Sequence, residues 1–199
     1  DLDTIYKRYQ DLYLVVEKAK QIVPVEGPKE EWVWDPEFPN DYLVEYEGAR
    51  KAAVQVRLAE AEELFNAEKP AEARELIYKF MSAYLQENEW DNQAETALRK
   101  ETANKISELA KNAVKNIINS TDKEQLKQGL ETLDMALKYN SEDKEVAYIR
   151  EKIENQMIDV LFTEAKEIES GGDLDSFKEA RKKYRSALSE FPGNKKLSQ

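Results

Sequence analysis

Residues 158–192 read IDVLFTEAKEIESGGDLDSFKEARKKYRSALSEFP, and this stretch decides the fold. Leu161, Ala165 and Ile168 recur at intervals of four and three residues, which places them on one face of a helix. Gly171-Gly172 stops that helix, since glycine readily takes the left-handed conformation that closes a helical end. Ala180, Tyr184 and Ala187 then repeat the four-and-three spacing until Pro192, which cannot continue a helix. The stretch predicts a hairpin of two helices, with a long first arm and a shorter second one.

The same arrangement recurs upstream. Ala61 and Ala113 sit in long helical stretches as Ala165 does, and the steps from 61 to 113 and from 113 to 165 are both 52 residues. Pairs of helices are expected over residues 41–68 and 70–86, then 91–119 and 122–139, then 142–170 and 176–191. Thr121 with Glu124, and Ser176 with Glu179, have the spacing of capping boxes, and Ser141 is the expected N-cap of the third long helix. Gly129 falls inside a predicted helix, where glycine costs about 1 kcal/mol relative to alanine, so the backbone is expected to pack closely there. A further helix is expected over residues 4–23, carrying Ile5, Tyr9, Leu12, Val16 and Ala19 on one face and ending at Pro24. One hairpin cannot bury its apolar stripe, whereas stacked hairpins can, so a recurrence on this scale points to an all-α solenoid.

The order Ala180, Tyr184, Ala187, Pro192 resembles the second half of a tetratricopeptide repeat. Ala73, Ile77 and Phe80 hold the first three places of the same pattern. Gly129, Leu133 and Ala136 hold them with Ser141 where proline would fall, and Leu12, Val16, Ala19 and Pro24 keep the spacing near the N-terminus. In the long helices, Ala61 with Leu64, Ala113 with Leu109, and Ala165 with Leu161 and Ile168 are similar to the small-and-large pairing of the repeat's first helix. The resemblance implies a right-handed α-solenoid of about three helical hairpins with long first helices, plus the N-terminal helix, in a single domain over residues 1–199. It also implies a scaffold or adaptor that binds other proteins. The departure is length: the standard repeat has about 34 residues, so these long first helices should overhang their partners.

Composition excludes much chemistry. The chain of 199 residues is 41% hydrophobic and 36% charged, which is too apolar for a disordered segment. It has no cysteine and no histidine, so thiolate and imidazole ligands, cysteine nucleophiles and Ser-His-Asp triads are ruled out. The absence of cysteine also leaves the compartment open between periplasm and cytoplasm. No glycine-rich phosphate loop is present, and Glu60, Glu62 and Glu63 spread around a helix rather than converging. No catalytic activity, cofactor or metal is expected. The net charge of −11 is concentrated in residues 1–90, with 20 acids against 11 bases, which repels phosphate and argues against a nucleic-acid ligand. No apolar run reaches the roughly 20 residues of a membrane helix, so no insertion into a bilayer is expected. The sequence opens at Asp1 without methionine and stops at NKKLSQ, where a further long helix would begin, so truncation within a further repeat is expected.

Two surfaces are candidates for binding a protein or peptide. The first is the inner side of the stack, formed by residues turned away from the Ala61, Ala113 and Ala165 faces. These are Gln55, Glu62 and Asn66; Ser107, Lys111 and Ile118; and Asp159, Thr163 and Lys166, a polar set of mixed sign. The second is the proline- and aromatic-rich loop over residues 24–40 and the residues after it, where Trp32, Trp34, Phe38, Tyr42 and Tyr46 lie close together. Trp and Tyr bury large areas at low entropic cost, so such a loop serves either as a cap on the stack or as a binding hot spot. The alternatives to an interaction scaffold are a self-associating structural subunit of a bacterial cell-envelope assembly and a small-ligand carrier.

Overall fold

A computed structural model describes residues 38–85, 93–192 and 194, together with Thr4, Lys7, Arg8, Gln10, Asp11, Leu12, Leu14 and Val15. Every regular element among the described residues is an α-helix, so the chain is all-α. The helices are α1 (Phe38–Asn66), α2 (Pro70–Tyr84), α3 (Gln93–Val114), α4 (Lys123–Tyr139), α5 (Lys144–Glu169) and α6 (Leu174–Glu190). The described residues before Val16 are helical too, but Leu12 is 43% exposed there and does not serve as core. Ile5, Tyr9, Val16 and Ala19 lie outside the described residues, as do Trp32, Trp34 and the stretch 24–37.

The helix ends depart from expectation for identifiable reasons. α1 starts at Phe38, not after Asn40, because Pro39 occupies the first turn, where its missing N–H removes no intrahelical bond. α3 stops at Val114, and the chain continues through tighter turns with Ile117 N–H donating to Val114 O at 2.9 Å and Ser120 N–H to Ile117 O at 2.9 Å. The run Asn116-Ile117-Ile118-Asn119 combines β-branched residues with asparagines, all weak helix formers.

Aspartates, rather than the expected Ser and Thr residues, cap three helices. Asp122 Oδ1 accepts from Glu124 N at 2.8 Å and Gln125 N at 3.3 Å, and Asp143 Oδ1 accepts from Glu145 N at 3.0 Å and Val146 N at 3.1 Å. Asp173 Oδ1 accepts from Ser176 N at 2.7 Å, and that backbone hydrogen bond lowers the carboxyl's pKa below its ordinary value. A carboxylate both accepts the free amides and meets the positive end of the helix dipole, so it displaces Thr121, Ser141 and Ser176 from the cap.

The turn between α1 and α2 is a full Schellman motif without glycine. Lys69 N–H donates to Leu64 O at 2.9 Å and Glu68 N–H to Phe65 O at 3.1 Å, with Glu68 at φ 59°. After α5 the left-handed residue is Gly172, at φ 74°, as the Gly171-Gly172 pair predicts.

The chain divides into two compact units, Asp1–Glu63 with Glu75–Thr102, and Leu64–Arg74 with Ala103–Gln199. In the first unit, Ile77, Phe80, Met81 and Tyr84 of α2 are buried at the spacing of one helical face, and Ala53, Val54 and Ala61 of α1 are buried as well. In the second unit α5 packs against both α4 and α6. Gly129 marks a close approach, as expected: a Cβ built there would lie 3.1 Å from Ile117 Cγ2 and 3.3 Å from Ile153 Cδ1. The predicted 52-residue register fails in α3. Ala61 and Ala165 are fully buried, but Ala113 is only half-buried, and the fully buried alanine of α3 is Ala110. The interior stripe runs through Ala103, Ile106, Ser107, Ala110 and Val114, which leaves Ala113 about 70° off its centre.

Candidate partner-binding surface

The predicted inner-face residues do not form one site. Gln55 and Glu62 are exposed seven residues apart on α1, and Asn66 is exposed at its end. Asp159, Thr163 and Lys166 make an exposed strip along α5, where Thr163 Oγ1 donates to Asp159 O at 2.8 Å. Two members of the α3 set are used by the fold. Ser107 is buried and accepts from Asn140 Nδ2 at 3.5 Å. Lys111 pairs with Glu145 at 2.6 Å, and that hydrogen bond raises its pKa against the opposing effect of desolvation. Ile118 lies in the tight turns after α3 and is half-buried. Phe38 and Tyr42 belong to the first turns of α1, and Trp32 and Trp34 lie outside the described residues.

Several cations bridge helices of the second unit. Arg74 of α2 donates to Thr132 Oγ1 of α4 at 3.1 Å and pairs with Glu131. Arg150 of α5 pairs with Asp134 of α4 and Glu154 of its own helix. Glu164 of α5 meets Lys123 of α4 at 2.7 Å and Lys183 of α6 at 2.9 Å, and these bonds, Lys123 first, hold its pKa below the ordinary glutamate value. The charge of each of these groups is spent on joining helices.

The outer face of α6 differs. Ala180, Ala187 and Phe191 form its buried stripe, yet Leu174 is 70% exposed, Phe177 47% and Leu188 49%. These three share one face, centred about 90° around the helix from the buried stripe and extending about 21 Å. Tyr184 stands at its edge, its ring meeting Phe162 edge-on with centroids 5.2 Å apart. Isolated exposed leucines are ordinary, whereas these three lie on one helix face. Arg181 falls within this face, between Phe177 and Leu188, and Lys178 and Arg185 border it, with Lys182 farther round the helix. Lys178 holds Asp175 at 3.0 Å in a fully solvated pair, while Arg181, Lys182 and Arg185 have no ion-pair partner among the described residues. The available signal is the excess of apolar residues: Leu174, Phe177, Tyr184 and Leu188 are more than the single stripe of Ala180, Ala187 and Phe191 requires.

Among the described residues, no group of three or more acidic side chains could hold a metal, and no helix is long and apolar enough to cross a membrane. Compared with known proteins, the chain matches no family model, no curated protein and no solved structure.

Proposed function

We propose that the chain is a non-catalytic interaction module of tetratricopeptide-like helical hairpins stacked as a right-handed α-solenoid, and that it binds a polypeptide partner. The alternation of helix lengths supports the hairpin reading: 29 and 15 residues, 22 and 17, then 26 and 17. So does the burial of Ala180 and Ala187 between α6 and the rest of its unit, since small residues at those places let paired helices approach.

The observation that carries the binding reading is the apolar row of Leu174, Phe177 and Leu188 beside unpaired bases, in a chain of net charge −11. An amphipathic helix carrying leucines on one face and flanking glutamates complements it in both respects. The aromatic residues Trp32, Trp34, Phe38 and Tyr42 and the strip around Asp159 and Lys166 are the competing contact surfaces.

A fluorescein-labelled synthetic amphipathic helix with a leucine face and glutamate flanks, titrated by anisotropy into the full chain, tests this. A lysine-flanked helix of the same apolar face is the control. The glutamate helix should bind, lose affinity with added salt, and bind at least about tenfold more weakly to Phe177→Asp or Arg181→Glu, both solvent-exposed substitutions. Equal binding of both helices, or binding unmoved by either substitution, would refute the α6 assignment. A loss caused instead by Trp32→Ala with Trp34→Ala would move the contact to the aromatic segment.

A further inference from the structure

The first unit holds a cavity of about 380 Å³ whose lining combines two chemistries. Its apolar wall comes from α2: Leu76, Phe80, Ala83 and Tyr84. Phe80 and Tyr84 are buried and reach the cavity only by their edges, Leu76 is half-buried, and Ala83 is exposed at the rim. Three cations converge on the same space: Lys7 from the N-terminal helical residues, Arg57 from α1 and Lys79 from α2. Gln10 adds a neutral amide.

The sign of this lining runs against its surroundings. Residues 1–90 contain 20 acids and 11 bases, so randomly placed charges would give a mainly acidic rim. Arg57 is partly neutralised by Glu60, to which it donates at 2.7 and 2.9 Å. Lys7 and Lys79 have no ion-pair partner among the described residues, although carboxylates are plentiful in this part of the chain. Both residues are exposed, so solvent can reach their ammonium groups. A carboxylate entering the cavity would exchange that water for charge-assisted hydrogen bonds, and an attached apolar body would displace water from the α2 wall. The volume lies near the lower end of the range for ligand pockets, which suits a small molecule.

We infer that this cavity binds an amphipathic organic anion, a carboxylate on a short aliphatic or aromatic body. Lys79 and Lys7 meet the carboxylate, and Leu76, Phe80 and Tyr84 hold the body. The site is independent of the α6 face, so its occupancy does not depend on the helix-docking reading.

Calorimetric titration of the full chain with octanoate, and separately with 1-octanol, tests the assignment. Octanoate should saturate a single site in the millimolar range or below, and octanol should bind at least about tenfold more weakly, as expected when a charge-assisted contact is lost. Lys79→Gln should weaken octanoate about tenfold while leaving octanol unchanged. Ala83→Phe, an exposed substitution that fills the rim, should abolish binding of both, with the far-UV circular dichroism of each variant confirming its fold. Octanol binding as tightly as octanoate would overturn the role of the cations. Octanoate binding unaffected by Ala83→Phe would overturn the location, and absence of saturable octanoate binding would overturn the site itself. Replacing octanoate by naphthoate separates an aliphatic from an aromatic body, since only a ligand whose shape fits the wall keeps its sensitivity to Ala83→Phe.

Discussion

Substituting Gly129 by alanine tests how tightly α4 sits against its neighbours. The new Cβ would lie 3.1 Å from Ile117 Cγ2 and 3.3 Å from Ile153 Cδ1. Carbon pairs favour about 3.5–4.0 Å, so the two contacts fall short by roughly 0.4 and 0.2 Å. Ile153 is fully buried in α5 and has little room to move, whereas Ile117 is half-buried in the turns after α3. Alanine regains about 1 kcal/mol of helix propensity, and overpacking costs about 1–3 kcal/mol. The net expectation is destabilisation of about 1 kcal/mol, opposite in sign to the same change on an open helix face. Ile117→Ala removes the 3.1 Å contact and a second one at 3.8 Å. In that background Gly129→Ala should become neutral or stabilise by up to about 1 kcal/mol, a coupling of about 1–2 kcal/mol between the sites. Urea unfolding of the parent, both single variants and the double variant, followed at 222 nm, closes the cycle. A stabilising Gly129→Ala in the parent, or the same effect in both backgrounds, would show that the approach of α4 to Ile117 is looser than described.

Glu68→Gly should stabilise the chain by about 0.5–1 kcal/mol, because Glu68 holds a left-handed conformation at φ 59° that glycine adopts without steric cost, less the entropy glycine adds to the unfolded chain. A fall in urea midpoint would refute that reasoning. Glu164→Gln should lower stability by about 1 kcal/mol at neutral pH, since two partly exposed pairs at roughly 0.2–1 kcal/mol each are lost. The folded pKa of Glu164 is depressed, so its contribution is complete above the unfolded value of about 4.3 and disappears as pH falls through the lower folded value. The variant and parent should therefore converge in stability in acid, and a gap that persists there would show that Glu164 acts through packing instead.

Helical periodicity survives in a sequence because it is set by burial, which explains why six helices were readable to within a few residues. The spacing of Ile77, Phe80, Met81 and Tyr84 needs no tertiary knowledge to be recognised. The cost of glycine in a helix likewise made the close approach at Gly129 legible. Caps were less so, because Ser141 and Asp143 are both good N-caps and the choice depends on which one the backbone brings to the first free amides. The Schellman turn at Glu68 was invisible, since nothing in glutamate signals a positive φ. The α3 register was misread because Ala110 and Ala113 are equally small, and only the neighbours Ile106 and Val114 decide which is covered. The same ambiguity places buried Ser107 on the predicted inner face.

The α6 row escaped sequence reading for a different reason: its leucines and phenylalanine interleave with lysines and arginines, so the segment scores as polar throughout. The cations assigned here to proposed binding surfaces differ from those that join helices in having no partner among the described residues. Arg74, Lys111, Lys123, Arg150 and Lys183 each reach a carboxylate on another helix, Lys123 and Lys183 sharing Glu164. Arg181, on the same helix face as Phe177, and Lys7 and Lys79, which line the cavity with Phe80, have no such bridge among the described residues. An exposed cation without a partner adds little to folding stability, yet next to an apolar surface it selects which apolar molecule is admitted. With 41 acids available to 30 bases, leaving these particular cations unpaired is a matter of placement rather than of supply, and placement is what a binding surface for anions requires.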